Sequence, residues 1–324
     1  MSKSDPTTAS AADAKRSRLF FICIPRSGST SLLKCLSFID GLEAWFEPYV
    51  IAKIALQLYK ADKGKELPTD WTEEYRAEFD HAAQLIHNMN NLPLVEGQKY
   101  SFSDLKECLG NLESSKVVVK DMGGSFCGNR KRYLPSRDSG FRYVFIIRDP
   151  QLAISSYRRA TLQTSLTLPG HLVGKTEENF DLLVDDPYYF SSGGNYFNIH
   201  AAWKYVRENL DPDPLIVDCE DLMANPKPYL QKICEVGRLE FQDGLLKWDA
   251  SIDIIKTWKN PGGVPKMLST GLGYFHRTAI NSSCFHFSKK EKPPLSSATK
   301  DIQRAVAKGT EYYNEMYELR FKPL

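Results

Sequence analysis

Apolar runs alternate with amphipathic stretches along most of this chain. Continuous apolar runs predict buried strands at 19–24, 116–120 and 141–147, with shorter strands at 41–46 and 215–217. Apolar residues at helical spacing predict helices over 50–60, 71–90, 151–160, 196–210, 226–235 and 299–317. Strands that alternate with helices pair in parallel and are covered on both faces. The pattern therefore predicts an α/β fold with a mostly parallel central sheet.

Two stretches depart from this alternation. Residues 1–16 are polar and rich in Ser, Ala and Thr, and we expect a disordered tail there. Residues 161–195 mix Gly, Pro and aromatic residues, which predicts a loop-rich lid. With that lid included, residues 17–324 are expected to form one α/β domain.

The turn after the first strand carries the clearest chemical signal. Between an apolar strand and the start of a helix lie Arg26, Ser27, Gly28, Ser29 and Thr30. Such a turn aims backbone N–H groups and the positive end of a helix dipole at one place, where phosphate or sulfate groups bind. An ordinary strand–helix turn would not need so many donors. The Walker lysine is missing, which favours an anionic nucleotide other than ATP.

Further polar groups stand at the ends of two other predicted strands. Lys120 and Asp121 end one apolar run, and Arg148 ends the next, with Ser156 following in a predicted helix. Parallel sheets bind ligands at the carboxyl ends of their strands, so Arg148 and Ser156 are predicted to converge on one phosphate. A capping arginine with a solvated serine is the structural alternative. A Walker B strand with Mg²⁺ on Asp149 would need the missing lysine.

Two of these segments resemble a known family. PRSGSTSL (25–32) and RDPQLAISSY (148–157) resemble the cofactor-binding signatures of the sulfotransferases, which use 3′-phosphoadenosine 5′-phosphosulfate (PAPS), and LIVDCEDLMANP (215–226) is similar to a later strand of that family. The resemblance implies the P-loop NTPase-like sulfotransferase fold, a three-layer sandwich. It also implies sulfonate transfer from PAPS to a hydroxyl or amine of a small molecule, with 3′,5′-adenosine bisphosphate (PAP) as product and no metal. By resemblance, residues 26–30 hold the 5′-phosphosulfate, and Arg148 with Ser156 holds the 3′-phosphate.

The chain departs from the family at two places. Many members carry Lys-Thr-His after the middle strand, with the histidine as base, whereas this chain has Lys120, Asp121 and Met122. The C-terminal signature is missing as well. Residues 266–277 are expected to replace it, with Lys266 or Arg277 reaching the 3′-phosphate.

The missing histidine raises the question of the catalytic base. Carbohydrate and tyrosyl-protein sulfotransferases use a glutamate shortly after the first helix, and Glu47 stands at that position. Its neighbours Trp45, Phe46 and Tyr49 would desolvate it and raise its pKa toward a useful value. An acid that stabilises a helix N-terminus is the alternative interpretation of Glu47. Asp121 is the second candidate base, and among the histidines we retain His200 and His276.

Arg26 and Lys120 complete the predicted catalytic group. Together with the N–H groups of residues 27–30, they are expected to stabilise the charge that develops during transfer. Lys120 also has a purely structural interpretation at its strand end. Two other function classes stay open: a P-loop small-molecule kinase, and a catalytically silent nucleotide-binding relative. The joint presence of Arg26, Lys120, Arg148 and Ser156 favours an active enzyme.

Composition and charge limit the expected cellular location and binding partners of the protein. A formal net charge of +2 and 42% hydrophobic residues give no reason to expect nucleic-acid or membrane binding. The N-terminus lacks the apolar core of a signal peptide. The seven cysteines form no CxxC pair, which fits a reducing compartment, so a cytoplasmic location is expected. No metal-ligand spacing is present among Cys and His, so no metal is predicted.

The acceptor is expected to be a partly apolar small molecule. Its pocket is predicted to be lined by residues near Trp45, Tyr49, Met122, Phe126 and the aromatic stretch 188–203. The sequence leaves a homodimer open.

Overall fold

A five-stranded parallel sheet forms the centre of the molecule. The computed structural model describes residues 16–90, 93–165, 172, 174–186, 194–263, 273–286 and 292–323. The strands follow the order β2-β3-β1-β4-β5 across the sheet, and all of their pairings are parallel. They are β1 (Ser17–Cys23), β2 (Leu42–Phe46), β3 (Lys116–Met122), β4 (Arg142–Ile147) and β5 (Leu215–Asp218). The carboxyl ends of all five strands therefore lie together along one side of the sheet, which we call its carboxyl edge, where ligands of such sheets bind.

Helices connect the strands and cover them. Within the described ranges the α-helices are α1 (Ser29–Leu36), α2 (Pro48–Lys63), α3 (Arg76–Asn90), α4 (Phe102–Gly110), α5 (Pro150–Ser165), α6 (Leu182–Asp185), α7 (Gly194–Asn209), α8 (Cys219–Ala224), α9 (Pro226–Gly237), α10 (Gly273–Ile280) and α11 (Lys300–Glu318). Short 3₁₀ segments lie at Glu73–Tyr75, Gly97–Tyr100, Gly123–Phe126, Gly128–Tyr133, Arg137–Ser139, Asp243–Leu246, Asp253–Thr257 and Leu295–Ser297.

The side chains of β1 alternate between two layers of helices. Phe20 and Ile22 pack in one apolar cluster with residues of α2, α3, α4, α7 and α11. Leu19, Phe21 and Cys23 pack in the other cluster, with residues of α1 and α9. All residues of β1 are buried, as expected for a parallel strand covered on both faces. The predicted three-layer α/β sandwich is confirmed.

Most predicted elements are present, with shifted ends. β3 continues past Lys120 to Met122, and α5 continues to Ser165, into the stretch predicted as a lid. Helix α4 was not predicted from the sequence. The predicted helix over 71–90 begins with the 3₁₀ segment Glu73–Tyr75 before α3. Much of the predicted tail and lid lies outside the described residues, namely 1–15, 166–171, 173 and 187–193.

Segments from the C-terminal half pair with both edges of the sheet. At β2, the Lys259 N–H donates to the Ala44 carbonyl oxygen at 2.8 Å, and the Phe46 N–H donates to the Lys259 carbonyl oxygen at 2.9 Å. At β5, the Phe321 N–H donates to the Ile216 carbonyl oxygen at 2.9 Å. Each edge strand is thus partly covered, which limits its pairing with other chains.

The described residues also bear on cysteine chemistry and membranes. All seven cysteines lie among them as free thiols. No helix in the described ranges is both long and apolar enough to cross a bilayer. Within the same ranges, no group of three or more His, Cys, Asp and Glu side chains is arranged to hold a metal ion.

Candidate active site

The turn between β1 and α1 has an unusual backbone. Arg26 and Gly28 both have positive φ, 67° and 71°, and Gly28 is the N-cap residue of α1. A Cβ on Gly28 would lie 2.2 Å from the Met223 Cε atom and 3.6 Å from the Cys219 Sγ atom, so the turn and α8 are in close contact. The first N–H groups of a helix have no partner within the helix. The N–H groups at the start of α1 are therefore able to donate to an anion.

The hydroxyl side chains of the turn are largely buried. Ser27 Oγ donates to the Ile24 carbonyl oxygen at 2.6 Å, which holds the turn closed. Ser29 and Thr30 begin α1, and both are buried. Thr30 Oγ1 lies 3.2 Å from His276 Nδ1, so α10 contacts the turn directly.

Arg26 connects three parts of the site. Its Nε donates to Ser156 Oγ on α5 at 3.2 Å, and its Nη1 donates to the Phe275 carbonyl oxygen on α10. Its own carbonyl oxygen accepts a hydrogen bond of 2.6 Å from Arg148 Nη1. The structure thus brings together Arg26, Arg148 and Ser156, which the sequence placed in two separate motifs.

Arg148 is held on its other side by α8. Its Nε donates to Glu220 Oε1 at 2.8 Å, and its carbonyl oxygen accepts from the Tyr196 hydroxyl at 2.9 Å. Glu220 Oε2 is buried and has no hydrogen-bond partner among the described residues. The sequence noted the segment that contains Glu220 but did not predict this ion pair.

Glu47 and Lys120 form a buried ion pair at the carboxyl edge of the sheet. Lys120 Nζ donates to Glu47 Oε1, and the Glu47 N–H donates to the Lys120 carbonyl oxygen at 2.7 Å. Lys120 Nζ also lies 4.9 Å from the centre of the Phe46 ring. Glu47 is the N-cap residue of α2, but its side chain makes no capping bond. The carboxylate is therefore directed to Lys120 rather than to the helix terminus.

Asp121 lies on the opposite face of β3 from Lys120, because successive strand residues alternate. Its Oδ2 accepts from the Tyr49 N–H at 2.7 Å, and its Oδ1 accepts from the Met122 N–H at 2.7 Å and from Ser125 Oγ at 2.8 Å. Burial, with a contribution from the charge of Glu47, raises the pKa of Asp121 to about 7. Its contacts fix the start of α2 and the chain after β3.

His276 joins the site from α10. Its ring stands edge-on to Phe46, with centroids 5.2 Å apart and planes at 84°. Burial, with the positive charges of Lys120 and Arg26, lowers the pKa of His276 well below its usual value, so the ring is neutral at pH 7. The adjacent Arg277 is exposed.

Two further predicted residues remain. Lys266 lies outside the described residues, and His200 does not join this group. His200 pairs with Glu315 at 2.8 Å, where α7 packs on α11.

A buried lysine anchors α10 against α1. Lys34 Nζ donates to the carbonyl oxygens of Ile280 at 2.6 Å, Ser282 at 2.9 Å and Ala250 at 3.1 Å. Burial lowers the pKa of Lys34. No local residue pattern predicts this arrangement, because the residues are far apart in the chain.

Two of the residues near which the acceptor pocket was predicted belong to the core. Tyr49 and Phe126 are fully buried and pack on each other in the core, with ring centroids 5.2 Å apart. They do not line an open pocket, because aromatic packing fills the space around them. Met122 does border a cleft, together with residues of α2. Residues 188–193 of the predicted lining lie outside the described ranges.

Comparisons with known proteins give matches to solved structures alone. No family model matches the chain, and no curated protein does. Similar solved structures include the sulfotransferase domain from the curacin biosynthetic pathway, at 14% identity and a TM-score of 0.42, covering 91% of this chain and 98% of that one. Mouse sulfotransferase SULT7A1 complexed with PAP has 14% identity and a TM-score of 0.43, covering 97% of this chain and 89% of that one. The sulfotransferase domain from the Synechococcus PCC 7002 olefin synthase has 16% identity and a TM-score of 0.43, covering 90% of this chain and 94% of that one.

Proposed function

We propose that this protein is a PAPS-dependent sulfotransferase that acts on a hydroxyl or amine of a small molecule. The observation that carries the proposal is the buried Lys120–Glu47 ion pair. It lies at the carboxyl ends of the strands, as does the turn before α1. Arg26, Arg148 and Ser156 converge beside that turn. Such a site combines a proton acceptor with groups that bind anions.

The donors of the site fit the chemistry of PAPS. The N–H groups of residues 27–30 and the guanidinium of Arg26 suit a phosphosulfate, which offers only acceptor oxygens. Arg148 and Ser156 suit the separate 3′-phosphate, because a guanidinium and a hydroxyl both donate to it. Lys120 adds a cation at the sheet edge, and its contact with Glu47 keeps it beside the base.

The residues of the chain then have distinct tasks. When bound, PAPS supplies the sulfonate: a bond forms between the acceptor oxygen and sulfur, and the bond from sulfur to the 5′-phosphate breaks with its electron pair on PAP. Glu47 accepts the proton of the acceptor hydroxyl. Arg26, Lys120 and the turn N–H groups stabilise the negative charge that grows on the oxygens, at roughly 10²–10³ in rate for each donor.

Glu47 is the preferred base among three candidates. Both oxygens of Asp121 already accept hydrogen bonds, on the other face of the sheet. His276 is a neutral imidazole beside Phe46 and Thr30, and it is the second candidate. Glu47 contacts Lys120 directly, so its proton would arrive next to the group that stabilises transferred charge.

The proposal is tested first by ligand binding. PAP is titrated against the wild type and Arg148→Ala, with ATP and Mg²⁺ as the competing ligand class, and thermal unfolding is followed. We expect PAP at about 100 times its Kd to stabilise the wild type by roughly 2.7 kcal/mol, and Arg148→Ala to lose most of this gain. Stabilisation by ATP and Mg²⁺ alone would favour the P-loop kinase instead.

The base is tested by comparing Glu47→Gln with His276→Gln. Glu47→Gln should retain stabilisation by PAP and lose roughly 10²–10⁴ in PAPS turnover, because the proton acceptor is gone. His276→Gln should lose much less. Turnover is measured as PAP release with acceptors found by screening small hydroxyl compounds. The reverse ranking of the two variants would assign the base to His276.

A further inference from the structure

Glu220 of α8 has a carboxylate oxygen that the chemistry above does not use. Its Oε1 accepts from Arg148 Nε at 2.8 Å, whereas its Oε2 is buried and has no hydrogen-bond partner among the described residues. A buried acceptor without a donor is unfavourable, and it is stabilised when a donor reaches it. Glu220 is therefore suited to accept a hydrogen bond from a ligand.

The ion pair of Glu220 with Arg148 uses only part of each side chain. A guanidinium and a carboxylate frequently pair through two parallel hydrogen bonds. Here one hydrogen bond joins them, and Arg148 Nη1 donates instead to the Arg26 carbonyl oxygen at 2.6 Å. Within the described ranges, Arg148 Nη2 makes no hydrogen bond. The pair thus leaves one donor, Nη2, and one acceptor, Oε2, on two groups that contact each other.

This donor and this acceptor lie beside the turn before α1. Arg148 contacts the turn through the carbonyl oxygen of Arg26, and α8 contacts it where Met223 and Cys219 approach Gly28. The side chains of Arg148 and Glu220 are 24% and 30% exposed, so neither is sealed in the core. A ligand bound at the turn can therefore contact both.

Ser156 provides a second donor at this place. Its Oγ accepts from Arg26 Nε at 3.2 Å, and its hydroxyl donates to none of the described residues. The Ser156 hydroxyl and Arg148 Nη2 together suit one anionic group, which in the proposed function is the 3′-phosphate. In PAPS and PAP, the ribose carbon that bears this phosphate is bonded to the carbon that bears the 2′-hydroxyl. A 3′-phosphate on Arg148 therefore brings a hydroxyl donor close to Glu220.

The two other acids at the start of α8 are engaged with donors from the chain itself. Asp218 accepts from the Glu220 N–H at 2.9 Å and from the Tyr313 hydroxyl at 3.1 Å. Asp221 accepts from Arg320 Nε at 2.7 Å. Glu220 is thus the acid of this segment with a buried oxygen that lacks a donor.

We propose that Glu220 recognises the ribose 2′-hydroxyl of the nucleotide and makes the site selective for ribonucleotides over 2′-deoxyribonucleotides. The hydroxyl donates to Oε2 while the 3′-phosphate accepts from Arg148 Nη2, so this assignment rests on the proposed function. The terminal torsion of a glutamate is soft, and a small rotation of the carboxylate exposes Oε2. The guanidinium of Arg148, which contacts both anions, offsets their mutual repulsion.

The test compares PAP with 2′-deoxyadenosine 3′,5′-bisphosphate, which lacks only the 2′-hydroxyl. Both compounds are titrated calorimetrically into the wild-type protein. PAP should bind about tenfold more tightly, because a hydrogen bond to a charged acceptor is of the stronger kind.

Glu220→Gln should bring the ratio of the two affinities close to one. The single carbonyl oxygen of glutamine stays on Arg148 Nε, and the amide nitrogen, which cannot accept, replaces Oε2. The variant should also bind the deoxy compound more tightly than the wild type does, because no carboxylate repels the 3′-phosphate. Glu220→Leu, which has no acceptor in its side chain, should give the same ratio of about one.

Asp221→Asn is the matched control, since Asp221 is an acid of the same helix that pairs with Arg320 rather than Arg148. It should leave the ratio at its wild-type value. A purely structural role of Glu220 predicts instead that Glu220→Gln weakens both compounds equally, and that result would overturn the proposal.

Equal affinity of the wild type for the two bisphosphates would overturn it as well. The same titrations separate this inference from the proposed function. Failure of PAP itself to bind would overturn the sulfotransferase proposal, and the role of Glu220 with it. Binding of PAP without preference for the 2′-hydroxyl would overturn the role of Glu220 alone.

Discussion

Two residues of the candidate site have a positive φ, a backbone conformation that residues other than glycine rarely adopt. Arg26 has φ of 67° and Glu47 has φ of 52°. Such residues cost of order 1–3 kcal/mol each and persist where the surrounding structure over-determines them. At Arg26 the conformation presents the carbonyl oxygen to Arg148, and at Glu47 it presents the carboxylate to Lys120. Backbone strain at Arg26 and Glu47 supports a functional role for these two residues.

Gly28 gives the prediction at this scale. Gly28→Ala should destabilise the protein by about 1–2 kcal/mol, because alanine is strained at positive φ and its Cβ would meet Met223 Cε. It should also weaken PAP binding, since the turn N–H groups would shift. Urea unfolding and the PAP titration measure the two effects.

The double variant Gly28→Ala with Met223→Ala separates the two causes. It relieves the steric contact but keeps the strained φ, so PAP binding should recover in part. Full tolerance of the single variant would show that the turn does not need glycine.

Carboxylates at strand ends set the starts of two helices. Asp121 fixes the beginning of α2 through the Tyr49 N–H. Asp218 caps α8 through the Glu220 N–H at 2.9 Å, and it accepts from the Tyr313 hydroxyl at 3.1 Å. Burial, with a contribution from the charge of Glu220, raises the pKa of Asp218 to about 7. These elements are therefore positioned by acids that stay largely protonated below a pH of about 7.

A dependence of stability on pH follows from these two acids. The folded protein keeps a proton on Asp218 between pH values of about 4 and 7, whereas the unfolded chain has released it. Unfolding thus releases a proton in this window, so the free energy of unfolding should fall as pH rises from about 4 to about 7. Asp218→Asn should remove up to roughly 4 kcal/mol of that fall. An asparagine can keep the α8 cap and donate to Tyr313.

Chemical denaturation at a series of pH values measures this change. Asp213→Asn, at an exposed position just before β5, is the control and should retain the wild-type slope. Asp121 keeps its own contribution to the pH dependence of stability in both variants, because burial also raises its pKa to about 7. A slope that is identical in the wild type and Asp218→Asn would contradict the assignment.

The sequence predicted the elements that have local signals. Continuous apolar runs marked the strands, and polar groups at their ends marked the sheet edge where Arg148 and Ser156 meet Arg26. It missed α4, although Ser101 followed by Asp104 is a helix-start signal, and Ser101 Oγ does accept from the Asp104 N–H at 3.1 Å. A short helix is difficult to predict when the polar and apolar residues around it follow no regular spacing.

The contacts of α10 could not be predicted in the same way. His276 meets Thr30 across 246 positions in the chain, and Phe275 meets Arg26 across 249. Such contacts depend on how α10 packs, and no residue pattern near His276 reports it. The ion pair of Glu47 with Lys120 could not be predicted either. Both residues were predicted in the site, but no pattern in the sequence indicated that they pair.

Across the whole molecule, a buried ion pair joins distant segments. Arg158 on α5 donates from Nε to Asp301 Oδ2 on α11 at 2.9 Å, and both side chains are buried. Its Nη2 donates to the carbonyl oxygens of Glu177 at 2.8 Å and Phe180 at 3.0 Å. Asp301 Oδ2 also accepts from the Leu182 N–H at 3.0 Å. One guanidinium thus holds α5, α11 and the segment before α6 together.

Arg158→Met should cost roughly 3–5 kcal/mol in the free energy of unfolding, because it leaves the Asp301 carboxylate buried without its cation. Urea unfolding measures the loss. Arg304→Met removes a more exposed pair with Asp181 and should cost about 0–1 kcal/mol. Arg158→Met with Asp301→Leu should recover part of the loss. A cost of Arg158→Met similar to that of Arg304→Met would show that the buried pair does not hold these segments.

The pairing of the sheet edges has a consequence for biosynthesis. All five strands have been synthesised once residue 218 is made, but the groups that cover β2 and β5 come later in the chain, from Lys259 and Phe321. During this interval both edges of the nascent sheet are open to other chains. Chaperone binding to nascent chains should therefore be strongest for stalled chains that end between these strands and Phe321, and it should decline once Phe321 can reach Ile216.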